Sequence, residues 1–188
     1  MKVRDSGMPD ADYWETIFDV PLILRRMRID SVVGHVLEVG CGYGTFTIPV
    51  ARAIQGKVFA YDIEPEMIRT TMDRAALAGA SNIIGSLRDL IADGADVSRD
   101  TMDYVMLFNI LHHDQPLEIL AETRRILRRG GLVGCVHWNY DPNTPRGPSM
   151  DIRPQPEQVR NWIIGAGFQE VNGLIDLPPY HYGWLGVK

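Results

Sequence analysis

Between Val36 and Gly44 the chain reads Val-Leu-Glu-Val-Gly-Cys-Gly-Tyr-Gly, a short apolar strand that breaks into three alternating glycines before a helical pattern begins. Such a turn commits the chain to a strand–turn–helix unit. Glycine lets the backbone bend sharply and lets a ligand approach where a Cβ would stand in the way. A second strand, Lys57 to Tyr61, ends at Asp62, eighteen residues beyond Gly44. A carboxylate there can accept hydrogen bonds from both hydroxyls of a ribose. The dinucleotide fingerprint is G-x-G-x-x-G, whereas this chain carries Gly40-x-Gly42-x-Gly44, with its last glycine one place early. Glu38, two residues before the first glycine, suits a ligand bearing an ammonium group better than a pyrophosphate. A dinucleotide site and a tight turn without ligand remain the alternatives at this point.

The rest of the chain repeats the alternation. Helical patterns run from about Thr45 to Ile54 and from Pro65 to Gly79, the latter with Ile68, Met72 and Ala75 on one face. Strands follow at Asn82 to Arg88 and Tyr104 to Phe108. A helix from Pro116 to Arg129 should stop at Gly130–Gly131, ahead of a strand from Leu132 to Trp138. Beyond a proline-rich loop come a helix near Glu157 to Ala166 and two strands, Glu170 to Ile175 and Tyr182 to Val187. No helix-length segment joins those last two, so they should pair antiparallel. The expected fold is α/β: a Rossmann-like, seven-stranded, mostly parallel sheet with an antiparallel last strand and helices on both faces. Two short helices, Asp12 to Phe18 and Pro21 to Ile29, would make residues 1–35 a segment that covers the site. Residues 36–188 would form the binding domain, within a single domain overall.

Composition excludes several classes. With 188 residues, 45% hydrophobic and 23% charged, the chain has globular proportions. A net charge of −5 argues against general affinity for nucleic acid. Arg124, Arg125, Arg128 and Arg129 cluster, and they read as cations in the last turn of a helix rather than as a phosphate track. Met1 to Asp10 is polar with no apolar signal core, and no run is long enough to span a membrane. Cys41 and Cys135 lack metal-ligand spacing, so reduced thiols and a cytoplasmic location are expected, with no metal implied.

The motifs together resemble those of the class I S-adenosylmethionine (SAM)-dependent methyltransferases, over about Val36 to Lys188. VLEVGCGYGTFTIPVA (36–51) is similar to their first motif and YDIEPEMI (61–68) to the segment after it. DYVMLFNILHH (103–113) resembles the fourth-strand motif, and RRILRRGGLV (124–133) the segment before strand five, with Arg129 in place of the usual proline. The nearest flavour is the type 11 subgroup, which includes ubiquinone and menaquinone methyltransferases. The resemblance implies that SAM is the cofactor and S-adenosylhomocysteine the product. It implies that Glu38, Gly40, Cys41, Gly42 and Gly44 hold the methionine part, Asp62 the ribose, and Ile63, Asp89 and Leu90 the adenine. Asn109 would close the methionine pocket through its backbone carbonyl.

On the acceptor side, His112 and His113 follow the fourth strand directly. One of them, His112 before His113, is the candidate base for an acceptor that starts protonated. The bland reading is a histidine capping the next helix. His137 and Trp138 end the fifth strand at the same mouth. The loop that follows carries Tyr140, three prolines and Arg146, and Arg153 comes soon after; the two arginines could fork a substrate carboxylate or phosphate. Tyr180 and His181, beside Pro178–Pro179, would pack toward the pocket. Tyr13 and Trp14 could fold over the sulfonium. The expected acceptor is a small molecule, without nucleic acid or membrane, and a homodimer could complete the pocket. A SAM-binding sensor or partner subunit without catalysis is the alternative from another class.

Overall fold

A computed structural model describes residues 9–29 and 34–188. Parts of the 1–35 segment, including the polar start of the chain, therefore lie outside the described residues.

The N-terminal segment forms α1 (Ala11–Thr16) and α2 (Val20–Arg26), each started by an aspartate that accepts a backbone N–H of the first turn: Asp10 from Tyr13 and Asp19 from Leu22, both at 3.0 Å. The glycine-rich turn leaves β1 (Val36–Val39) and enters α3 (Thr47–Ala53). Then follow β2 (Val58–Asp62), α4 (Pro65–Leu77), β3 (Ile83–Leu87), β4 (Met102–Phe108) and α5 (Pro116–Ile126). The chain ends with β5 (Leu127–Trp138), α6 (Pro156–Gly165), β6 (Gln169–Leu177) and β7 (His181–Val187).

The seven strands lie in the order β3-β2-β1-β4-β5-β7-β6, with β7 antiparallel to both its neighbours and the other pairings parallel. This is the expected sheet. Period-two alternation divides the core. Tyr104, Met106 and Phe108 of β4 face a cluster with Ile23, Val50 and Ala75 of α2, α3 and α4. Val105 and Leu107 face a second cluster with Leu120 of α5 and Ile163 of α6. The strand order reverses between β1 and β4, and a crevice opens there beyond the carboxyl ends of the strands.

The helix expected to run to Arg129 stops at Ile126. Leu127 turns extended, buries its side chain fully and pairs with Met102 of β4, so the sheet takes residues that helical periodicity assigned to the helix. The four arginines are correspondingly not one last turn. Arg124 and Arg125 are, but Arg125 is bound to Glu122 and the carbonyls of Ala95 and Val97, and Arg128 pairs with Asp103. Among the described residues no helix is long and apolar enough to cross a membrane, and no group of three or more His, Cys, Asp or Glu could hold a metal ion.

Candidate active site

The glycine turn is braced by β2 and α4. The N–H groups of Gly40 and Cys41 donate to the Tyr61 carbonyl at the end of β2, at 2.8 and 2.9 Å. From α4, the Thr71 hydroxyl donates to the Gly42 carbonyl and Arg74 to the Tyr43 carbonyl, both at 2.8 Å. Gly40 sits at φ +74°, where an L side chain is strained, and a Cβ there would also have to displace the tip of Ile110, whose Cδ1 lies 2.5 Å away. Neither Thr71 nor Arg74 stands out in the sequence, because nothing in a helical pattern reveals which side chains will brace a distant turn.

A cavity of about 360 Å³ lies over this turn. Glu38, Gly40, Cys41, Gly42, Asp62, Ile63, Asp89, Leu90 and Asn109 all line it, together with His112 and His113. Of the expected cofactor residues only Gly44 is absent from the lining; it closes the turn from below, its added Cβ meeting Thr71 at 3.2 Å. Trp14, Phe46, Met67, Arg88, Ile91 and Phe108 also face the cavity. These lie on elements that alternation places, but their inward orientation is a tertiary result.

Two carboxylates set the electrostatics. Glu38 is 2% exposed and accepts a hydrogen bond from Thr47 Oγ1 at 2.5 Å. Burial, only partly offset by that bond, raises its carboxyl to about 8, so at neutral pH it is largely protonated until a cation arrives. Asp62 accepts the N–H of Gly42 and that of Glu64, one on each oxygen, at 3.0 Å; burial raises its carboxyl as well. Each oxygen retains a lone pair for a ligand hydroxyl. The Asp89 carboxylate accepts from the N–H groups of Ile91 and Ala92, which orders the loop after β3 and its edge of the cavity. Asn109 adopts φ +57°, and its buried Oδ1 has no hydrogen-bond partner. Cys41 and Cys135 are buried and their thiols pushed far up, which leaves them un-ionised and unreactive.

A second cavity, about 580 Å³, adjoins the first and shares His112 and His113 as a common wall. Asp114, Glu118, Asp151 and Trp162 are among its other residues. His112 Nδ1 lies 3.2 Å from His137 Nε2, and His137 Nδ1 accepts the Trp138 N–H at 3.0 Å. His113 Nδ1 accepts the N–H of Gln115, the residue before the first turn of α5, at 3.0 Å.

Several residues expected on the substrate side are placed elsewhere. His137 is 1% exposed, behind His112 rather than at the mouth. Trp138 and His181 are buried in an aromatic cluster with Trp14, Phe18 and Tyr180; His181 stacks on Phe18 with ring centroids 4.4 Å apart. Arg153 lines the second cavity, with its guanidinium already engaged. All three of its guanidinium nitrogens donate within the loop, to the carbonyls of Pro148, Asn139, Asp141 and Arg146 and to Thr144 Oγ1. The loop is polar and irregular, and a buried arginine serves its backbone acceptors. Arg146 lies over the Tyr13 ring, 5.8 Å from its centroid, and Tyr140 is exposed.

The N-terminal helices reach the glycine turn by three contacts. The Tyr43 hydroxyl donates to the Pro9 carbonyl at 2.9 Å, Arg74 joins Glu15 of α1, and Trp14 forms part of the cavity wall.

Comparison with known proteins is consistent with this geometry. A family model described as a methyltransferase domain matches residues 36–131. An uncharacterized 37.1 kDa protein in a transposon of Streptomyces fradiae is 28% identical over 180 residues, covering 87% of this chain and 51% of that protein. A malonyl-(acyl-carrier protein) O-methyltransferase of a Paenibacillus species is 28% identical over 127 residues, covering 65% of this chain and 45% of that protein. The chain thus spans about half the length of the curated relatives it matches. A SAM-dependent methyltransferase from Aquifex aeolicus superposes with a TM-score of 0.81 at 20% identity, covering 94% of this chain and 93% of that one.

Proposed function

The chain belongs to the family of methyltransferase domains, and from that premise we propose that it binds SAM and transfers its methyl group to a small-molecule acceptor. The observation that carries this reading is a buried carboxyl, Glu38, held beside an open glycine turn and Asp62 in one cavity. An uncharged Glu38 becomes a partner for the ammonium of the methionine moiety once that cation is present. The ribose hydroxyls fit Asp62, and the adenine fits the edge made by Ile63, Asp89 and Leu90.

Bound there, SAM supplies a methyl group already activated by a positively charged sulfur. The protein's contribution is placement in a dry site. Phe46, Phe108 and Trp14 give the cavity aromatic walls, which exclude water and favour a sulfonium over bulk solvent. The acceptor takes the second cavity, across the His112–His113 wall.

Calorimetric titration with SAM, S-adenosylhomocysteine and NAD tests the reading. Both adenosyl ligands are expected to bind and NAD is not, and Asp62→Ala should weaken them about ten-fold or more. Binding of NAD alone would replace the reading with a dinucleotide enzyme. Release of S-adenosylhomocysteine during an acceptor screen separates an enzyme from a sensor.

A further inference from the structure

Helix α1 buries no residue of its own. It is fastened just past its C-terminal end, where Ile17 and Phe18 turn into the core. The Phe18 ring stands between two others. On one side it meets Phe46 edge-on, with centroids 5.1 Å apart, and Phe46 in turn meets Phe108; both are walls of the smaller cavity. On the other side it stacks on His181 at 4.4 Å. Trp14, the residue that α1 contributes to the same cavity, packs against Phe18 at 4.9 Å. His181 is 0% exposed at the start of β7, and neither of its ring nitrogens has a hydrogen-bond partner.

A hydrocarbon ring would fill this place at lower cost, because even a neutral imidazole leaves an N–H and a lone pair unsatisfied there. A charged ring is far worse. Its two N–H groups lie in the imidazole plane, so the stacked face of Phe18 takes up neither, and the Arg153 guanidinium repels the charge. The carboxylates on either side of Phe18 are engaged elsewhere, Glu15 with Arg74 and Asp19 with the Leu22 N–H. On β6, Asp176 pairs with Arg26 of α2. His137 alternates to the opposite face of β5 from Trp138 and is kept neutral by its own burial.

We propose that His181 is a positioning residue: as a neutral ring it holds Phe18 and so seats α1 and Trp14 on the cofactor cavity, and by taking up a proton it keeps α1 released in acid. The closed form refuses the proton, whereas the open form, with the ring in water, accepts it. The closed value of about 3 lies below the open value of 6.5, so closure is fully favoured above pH 6.5 and weakens as pH falls toward 3. The link to the cofactor rests on the methyl-transfer reading; the latch itself does not.

The test uses the full chain and a glutamyl endopeptidase, which cuts after Glu15 within α1. Rates at pH 7 and 5 are divided by those of a free peptide of residues 9–19, which cancels the pH dependence of the protease. The ratio should rise about 25-fold from pH 7 to 5 in the unchanged chain, and by less than about two-fold in His181→Phe, which keeps the stacked ring and cannot titrate. No rise, or an equal rise in His181→Phe, overturns the proposal. Cleavage after the buried Glu38 reports opening of the whole chain and should stay slower throughout; equal rates at the two sites overturn a local release. Phe18→Leu, which removes the ring that His181 holds, should be cut after Glu15 several-fold faster than the unchanged chain already at pH 7, and an unaltered rate overturns the role of Phe18. Saturating S-adenosylhomocysteine at pH 7 should slow the Glu15 cut several-fold. Binding without slowing overturns the link to the cavity, and absence of binding defeats the methyl-transfer reading while leaving the pH result standing.

Discussion

Glu38 concentrates the tension in this site into one residue. Its carboxyl lies near 8 because it is buried, and a cationic ligand would return it to the ionised form. Cofactor binding below that pH should therefore release a proton, and affinity should climb as pH rises from 6 toward 8. Calorimetry at pH 7 in two buffers of different ionisation enthalpy measures the release directly, and Glu38→Gln should abolish it. The same residue burdens the empty fold. With a folded value above the unfolded 4.5, the contribution of Glu38 to the stability of the unliganded protein declines as pH rises from about 4.5 through 8, opposite in sign to that of the buried histidines. Glu38→Gln should accordingly raise Tm at pH 8.5 while weakening SAM binding. Glu38 was legible in the sequence as a partner for an ammonium group, because its place relative to the glycines is a matter of spacing. Its protonation was not, since that follows from how completely the packed sheet removes it from water.

At the scale of elements, the central strands and the helices over them are fitted to one another at glycines. A Cβ on Gly134 of β5 would lie 1.8 Å from the Tyr104 hydroxyl, which donates to the Met27 carbonyl just past α2 at 3.0 Å. Gly134→Ala should force that ring aside and cost about 1–3 kcal/mol, read as a lowered midpoint in urea. The attachment of α1 is weaker. Arg74 bridges the Tyr43 carbonyl and Glu15, and the ion pair is half exposed and contributes little by itself. Arg74→Ala should leave Tm within about 1–2 °C, since surface changes are usually small. It should instead speed proteolysis within residues 9–19 and weaken S-adenosylhomocysteine binding a few-fold. Sequence periodicity located α4 to within two residues at its C-terminal end, yet gave no sign that Thr71 and Arg74 brace the turn. Its error at α5 has the same origin: Leu127 to Arg129 look helical until the start of β4 is there for Leu127 to pair with Met102.

Across the whole molecule, the fold confines neutral histidines to its interior, and this gives its stability a pH dependence. Burial lowers His181 from 6.5 to about 3 and pushes His137 well down too. A lowered folded value means stability that is present above about 6.5 and lost as pH falls toward 3, because the unfolded chain takes up protons that the native one refuses. Thermal melts from pH 7 to 4 should show Tm falling, and His181→Leu should flatten that slope. By itself the sequence determined the order of strands and helices, the glycine turn between them and the acidic end of β2, since all of these are local: they depend on period, on backbone freedom and on spacing of a few residues. The residues that the family resemblance implied for the cofactor, Gly44 apart, line one cavity, because the carboxyl ends of parallel strands meet on one side in any sheet of this kind. Only the tertiary structure decided the acceptor side. Arg153 went to carbonyls of its own loop, Trp138 and His181 into the aromatic core, and His137 behind His112. Those outcomes depend on which polar groups are left to be satisfied once the loops close over the sheet, and a buried donor or acceptor finds its partner in space, not in sequence.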